Sequence, residues 1–411
     1  MKTLNIKNYL KFYLFFLASF AIFYLFFKHS VLNDSSISEW LINYKGGFTR
    51  RGLGGEILFN LSNIFDLKLR FSIFITQAFF HILYLYLIYL YFRNVRMNII
   101  HIFALFTPIF LLYPVSEIEV LGRKEIILFC FFISLMFFSE KTFSKNYLNF
   151  STFFILPLVC LIWEQSILFA PYIAVLIILK NDFQSFKETF MGILITFFPA
   201  ILSIVFIFLM PLSKEGHELM CDTLLETFNE QCYMSANLLI SNTVYFDTLH
   251  IHQNANLSHY LRYLGIFIVG FFPLHYLIYK SEFIFKDNFI TKNFNLNRIF
   301  ILLYLPSILL FSFGWDWGRW INILYTCSVL LYFYLYKNSY IKLNNKTLNM
   351  IFALLNKKKY LLIVFFIVFA FGWHPKATLS EDIGSLPGYR IPYKAIKFID
   401  ILKIRIDESK Y

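Results

Sequence analysis

The chain has 411 residues, 58% of them hydrophobic and only 15% charged, with a formal net charge of +12. Soluble domains carry about a quarter charged residues; here long apolar runs recur from end to end, which excludes a soluble globular protein. The basic residues sit largely in short segments between those runs, a pattern of membrane topology and anionic lipid rather than of nucleic-acid binding.

The reading is an all-α, polytopic transmembrane bundle of about eleven spans. The first runs from about Tyr9 to Phe27, after Lys2 and Lys7. No small-residue cleavage site follows it, so it is expected to stay as a helix rather than leave as a signal peptide. The second runs from about Phe71 to Phe92 and precedes Arg93 and Arg96. The region from Ile99 to Phe138 is expected to hold two spans, broken by PVSEIEVLGRKE. The region from Leu148 to Leu179 holds two more, broken at Trp163-Glu164-Gln165. A seventh span, Phe190 to Met210, precedes a polar loop over about 211–262, and an eighth runs from Tyr263 to Tyr279. The ninth and tenth lie between Ile299 and Tyr336, broken by GWDWGRW; the last runs from about Leu361 to Trp373. Residues 1–373 read as one membrane domain and 374–411 as a polar tail.

Lys and Arg set the orientation. Alternate loops hold Lys2/Lys7, Arg93/Arg96, Lys141/Lys145, Lys180/Lys187, Lys280/Lys286/Lys292/Arg298 and Lys357-Lys358-Lys359. Those loops are expected in the cytoplasm, as is the N-terminus, with the tail outside. The Phe, Ile, Tyr, Asn and Lys richness suits an AT-rich gene and a bacterial inner membrane. Cys130, Cys160 and Cys327 fall inside apolar runs and read as packing residues. Cys221 and Cys232 share one polar loop and are able to pair if it meets an oxidising compartment. No metal spacing and no cofactor motif is present; His217, His250 and His252 read as solvated loop residues.

With that topology four unusual segments fall on the outer face. In GGFTRRGLGGE, Gly46 to Glu56, five of the fifteen glycines stand close together. Glycine lets backbone N–H groups turn toward an anion, and Arg50 and Arg51 add forked donors suited to phosphate. A flexible turn before a helix lying on the lipid surface is the plainer reading. The second segment, Glu117 to Glu125, places Arg123, Lys124 and Glu125 at the start of a wholly apolar span. Ionisable groups there are expensive and usually face a watery interior, although a membrane-edge charge cluster would look the same. In the third, Glu164 and Gln165 follow Trp163 with almost no loop; Glu164 suits a general base or a sugar hydroxyl, or else an exposed turn. In the fourth, Trp315, Trp317 and Trp320 surround Asp316 and Arg319, which share a helix face at i,i+3. An aromatic belt with a local ion pair is the alternative. Yet all six tryptophans, Trp40 and Trp373 included, are expected at the same face, which suits sugar rings stacked on indole.

Together these residues suit a lipid-linked sugar phosphate. Arg50, Arg51, Arg123, Lys124 and Arg319 would hold the (pyro)phosphate. Glu164, Asp316 or Glu56 would be the base, with Glu125 a further candidate. Trp163, Gln165, Trp315, Trp317 and Trp320 would bind sugar. No metal is needed if arginine carries the leaving-group charge.

GGFTRRGLGG, the RKE at a span start, the EQ between spans and DWGRW resemble segments of multispanning proteins of bacterial surface-polysaccharide loci. Length, span count and the single large outer loop are similar to those of Wzy-type O-antigen or capsule repeat-unit polymerases, although their RX10G pattern is not evident after Arg50. The resemblance implies block transfer of undecaprenyl-pyrophosphate-linked repeat units at the periplasmic face, with membrane lipids and a chain-length regulator as partners. A GT-C-type glycosyltransferase using a polyprenyl-phosphate sugar is the alternative. That family carries an acidic residue in its first outer loop, where Asp34, Glu39 and Glu56 lie. A flippase or transporter would show mid-membrane polar residues and internal repeats; neither is visible.

Overall fold

The computed structural model describes residues 6–30, 35–140, 143–240, 255–344 and 359–379, together with residue 399. In chain order, α1 (Lys7–Lys28) leads to two short helices, α2 (Ser35–Leu41) and α3 (Gly52–Ile64), and then to α4 (Leu69–Phe92). Three short helices follow: α5 (Ile99–Leu105), α6 (Tyr113–Ser116) and α7 (Ile118–Leu121). Next come α8 (Glu125–Phe138), α9 (Lys145–Ile162), a 3-10 turn (Glu164–Phe169), α10 (Ala170–Asn181), α11 (Phe186–Leu209) and α12 (Lys214–Phe228). The chain closes with α13 (Leu257–Tyr279), β1 (Ser281–Phe283), α14 (Phe289–Asn293), α15 (Leu296–Phe313), α16 (Trp317–Lys337), β2 (Ile341–Leu343) and α17 (Lys359–Phe371).

The fold is all-α and of the membrane-spanning kind. Among the described residues, seven helices are long and apolar enough to cross a bilayer: α1, α4, α9, the 3-10 turn continued by α10, α11, α13 and α15. Their outward residues are apolar too. On α11, Phe190, Ile195, Phe198, Phe206 and Phe208 are all exposed, a surface that only lipid can cover without cost. Local sequence starts these helices cleanly. Ser185 and Glu188 close a capping box on α11, and Asn256 with His259 closes another on α13. The only strand pair described is a short antiparallel ribbon in which Ser281 faces Leu343 and Phe283 faces Ile341.

The core is built on α16. Every residue from Gly318 to Leu335 is buried, including polar groups that find partners on neighbouring helices. Ser328 shares a 2.7 Å hydrogen bond with Tyr172 of α10, and Tyr325 donates to the Ala104 carbonyl of α5 at 2.7 Å.

The structure differs from the sequence reading in three places. The run beginning at Ile99 is not one continuous helix: α5 stops at Leu105, and turns carry the chain to α6. Pro108 and Pro114 lack backbone N–H groups and disfavour helix in the residue before them. The resulting irregular backbone stays in protein, where Asn322 donates to the carbonyls of Ile109 and Phe110. Such backbone is tolerated at membrane depth when it is buried in this way. Second, residues 374–379, the start of the polar tail, pack against the bundle. His374 is buried, Gly318 N–H donates to the Ala377 carbonyl, and Tyr263 donates to the Thr378 carbonyl at 2.6 Å. Third, the long polar loop begins as α12, which meets the first loop where Gly216 lies against Gly46; the residues after it continue the contact, Glu230 pairing with Arg70 of α4 at 2.6 Å and the Ser235 N–H donating to Ser38 Oγ of α2. Asp34, His250, His252, Lys141, Lys357 and Lys358 lie outside the described residues.

Candidate functional site

Four segments far apart in sequence meet at one end of the bundle. α2 brings Glu39, the turn before α3 brings Arg51, the α7–α8 link brings Arg123 and Lys124, and α8 opens with Glu125. The break after α9 brings Glu164, and the start of α16 brings Asp316 and Arg319. Backbone fit fixes these approaches. Trp40 Nε1 donates to the Gly122 carbonyl at 2.7 Å, binding α2 to the α7–α8 link, and a Cβ on Gly122 would lie 2.8 Å from Ser36 Cβ.

Glu39 is the centre. It is 1% exposed, and its Oε1 lies 2.8 Å from Arg123, 3.5 Å from Arg51 and 3.7 Å from Arg319. Burial would raise its carboxyl, but Arg123, Arg319, Arg51 and Lys124 outweigh burial and hold it at about 2. Arg51 in turn forks onto Glu164, Nε at 2.9–3.0 Å and Nη2 at 2.7 Å. It does so from a left-handed backbone, φ 63. Its guanidinium is raised, because Glu164 overcomes the opposing effect of burial. Arg319 forks onto Glu125 at 2.7 and 2.8 Å and reaches Asp316 at 3.0 Å. Lys124, wholly buried, donates to the Arg51 carbonyl at 2.7 Å and lies over the Trp40 ring. Burial lowers its ammonium to about 7, with Glu39 opposing. Four cations thus stand among four carboxylates. A small internal cavity lies beneath them, lined by Arg123, Glu125, His81 and Asn322 among others.

The other residues singled out from the sequence stand apart. Glu56 is not in the network: it accepts from Tyr44 N–H at 2.9 Å, Lys45 Nζ at 3.0 Å and Asn60 at 2.7 Å, and so braces the first loop. Arg50 donates to the Leu238 carbonyl at 3.1 Å and makes no salt bridge among the described residues, though the Glu164 charge lies near enough to act on it. Trp317 packs on Tyr260, Tyr263 and Phe311, and the Trp315 carbonyl accepts from Leu379 N–H. Trp163 and Trp320 do flank the network, but with their ring faces against the Arg319 guanidinium, 5.7 and 5.2 Å from the ring centroids. Both indoles are buried, so neither offers an open face on which a sugar ring can stack. Their Nε1 atoms, Gln165 Oε1 and Glu39 Oε2 have no hydrogen-bond partner among the described residues, although buried polar atoms nearly always find one. These edges, not the ring faces, are what a ligand would find.

The glycines of the first segment also act differently from the expectation. A Cβ on Gly46 would lie 1.7 Å from the Gly216 carbonyl oxygen, and one on Gly55 2.0 Å from that of Ile42. Among the segment's glycines only Gly47 has a positive φ, at 119. They permit close packing of backbone rather than forming an open anion nest.

Sequence reasoning named Glu39 only as one of several acids in the first loop. Nothing local separates it from Asp34 or Glu56; its centrality arises from three arginines, two of which, Arg123 and Arg319, are supplied by distant segments. Cys221 and Cys232 are joined in a disulfide, Cα–Cα 5.4 Å. His217 lies 3.6 Å from the Cys221 sulfur, which is committed to its partner and not to a metal. No family model, curated protein or solved structure matches this chain.

Proposed function

We propose that this protein is a membrane-embedded glycosyltransferase that takes its sugar from a polyprenyl-linked phosphate or pyrophosphate at the non-cytoplasmic face of a bacterial inner membrane. One observation carries the reading: arginines and carboxylates from four segments interlock at one end of an apolar bundle. Buried ion pairs repay their desolvation poorly, so groups kept at such a depth are better explained by function than by stability.

Orientation and depth support it. The opposite end carries Lys11, Arg93, Arg96, Lys145, Lys187, Lys280, Lys286 and Lys292, which the charge rule assigns to the cytoplasm. The disulfide at the network end suits an oxidising compartment. With α8, α16, α17 and the α5 run added to the seven long helices, the chain passes the membrane eleven times, N-terminus inside and tail outside. α3 exposes Ile57, Leu61 and Ile64, and Phe65 just after it is exposed too, all apolar, as a helix lying in the lipid surface does. Arg51 begins that helix, so a lipid's phosphate would meet it at headgroup depth.

In this mechanism an incoming phosphate exchanges with a carboxylate on arginine. The Arg51–Glu164 pair is the most exposed of those made by the three network arginines with their glutamates, 18% and 15%, and Arg50 stands near Glu164 without a salt bridge among the described residues. Phosphate held by Arg50 and Arg51 leaves Glu164 able to take the proton of the acceptor hydroxyl. Arg123 and Arg319 stabilise the charge on the departing phosphate. The unpaired indole N–H groups, Gln165 Oε1 and Glu39 Oε2 face the hydroxyls of the sugar.

The resemblance to repeat-unit polymerases makes polymerisation of undecaprenyl-pyrophosphate-linked units the first form of this reaction. The central place of Glu39, an acid from the first outer loop, favours a second form, GT-C-type transfer of one sugar from a polyprenyl phosphate. A deletion strain complemented with wild type, Arg51→Ala or Arg319→Ala separates them on a gel of surface polysaccharide. A single repeat unit on the lipid core indicates the polymerase; chains of normal length lacking a branch sugar indicate the second form. Both arginine variants are expected to behave as the deletion. Unaltered polysaccharide in the deletion strain, or full complementation by both variants, would overturn the proposal.

A further inference from the structure

At the end of the bundle opposite the ion-pair network, the turn after α4, the start of α5, the end of α16 and the strand β2 enclose a cleft of about 560 Å³. Three cations line it, Arg96, Lys337 and Lys342, and among the described residues no Asp or Glu does. Their situations differ. The Lys337 ammonium is already committed, 2.7 Å from Glu140 and above the Tyr91 ring. Arg96 and Lys342 are exposed and have no ion pair among the described residues. Glu282 stands opposite Lys342 in the ribbon register, yet makes no salt bridge with it.

The rest of the lining is suited to a small polar ligand with an apolar neighbour. Asn94, Asn98 and Ser339 supply amide and hydroxyl groups, while Val95, Ile341 and Leu343 supply apolar wall. The shape is fixed by the fold. Asn98 is held by its capping box with His101 at the start of α5, and Ser339 turns the chain in the left-handed region, φ 58. A volume of this size falls in the range of small-molecule sites. A guanidinium and an ammonium without acid partners attract phosphate above other common anions, by forked hydrogen bonds and by charge. Basic pockets between membrane helices are where anionic headgroups are held.

We propose that this cleft is a binding site for a phosphate group, held between Arg96 and Lys342, with the apolar wall receiving what the phosphate carries. The source is either the headgroup of an anionic phospholipid or a free phosphate compound. The site is separate from the network and does not depend on the glycosyltransferase reading.

The test uses the full chain in detergent and in nanodiscs. Native mass spectrometry counts retained phosphatidylglycerol against phosphatidylcholine, and thermal unfolding is followed as inorganic phosphate is added. Wild type is compared with the double variant Arg96→Ala, Lys342→Ala and with Arg96→Gln alone, all checked for an unchanged melting temperature without ligand. Preferential retention of phosphatidylglycerol that falls about twenty-five-fold in the double variant, from two cations each worth about fivefold, identifies a lipid site. A melting temperature raised by phosphate in wild type and not in the double variant identifies a free-phosphate site. Equal retention of both lipids with no phosphate effect overturns the proposal. So does phosphatidylglycerol retention that both variants leave unchanged.

Discussion

The two ends of this bundle use the same residue types in opposite ways. At one end Arg51, Arg123 and Arg319 are buried, interlocked with Glu39, Glu125, Glu164 and Asp316. At the other, Arg96 and Lys342 are exposed and make no ion pair among the described residues, and Lys337 and Glu140 form a partly exposed pair. Net charge of +12 belongs chiefly to the second arrangement. The difference teaches that charge does two jobs in this protein. Exposed cations at a membrane edge bias topology and attract anions, gaining little from any one contact. Buried ions must be matched almost one for one, and losing a partner leaves a charge with neither water nor counter-ion.

The comparison breaks most sharply at Glu39. Glu39→Gln leaves Arg123 and its neighbours short of one negative charge in a buried site. The expected loss is about 3–5 kcal/mol, read as a large fall in melting temperature of the purified chain. A stability equal to wild type would mean that water reaches the network and that the two ends are alike after all.

Titration sharpens it at intermediate size. Glu39 is held at about 2, below its ordinary 4.5; a lowered carboxylate stabilises the fold above its unfolded value and loses that stabilisation as pH falls from about 4.5 toward about 2. Lys124 is lowered from 10.5 to about 7. The unfolded chain therefore binds more protons than the native one between those values, and stability rises with pH from about 7 to about 10.5. Thermal unfolding across both windows should show two rising limbs, the upper one abolished in Lys124→Met. An upper limb that persists in that variant would assign it to another group.

The smallest effect is expected at the opposite end. Arg96→Ala alone should change stability by no more than about 0.5 kcal/mol, as surface substitutions do, measured by the same unfolding assay. A loss of several kcal/mol there would mean that the exposed end is as tightly coupled as the buried one.

How much of this was legible in the sequence varies along the chain for physical reasons. The long apolar runs foretold a helical bundle that crosses the membrane, since a run of hydrophobic residues needs no knowledge of its neighbours to prefer lipid. The exception, the stretch after Ile99, is also composed of apolar residues, but its prolines prevent a continuous helix and Asn322, over two hundred residues away, supplies the missing hydrogen bonds. The segments of the candidate site were visible as rare charged and indole residues at the edges of apolar runs. Their pairing was not. Arg50 and Arg51 are adjacent and chemically equal, yet only Arg51 reaches the carboxylates. Glu56 belongs to the same glycine-rich segment as Arg51, yet closes a local turn with Lys45.

Sequence by itself determined that this chain lives in a membrane as a helical bundle and that its cations divide between edge loops and a few special segments. It did so because hydropathy and charge are properties each residue carries into any context. Only the tertiary structure decided that Glu39 is the hub, that the indole faces are closed by Arg319, and that the glycines serve contact between backbones. Those are matters of which surfaces meet across long separations, and burial gives a carboxylate its consequence only when the cations around it come from elsewhere in the chain.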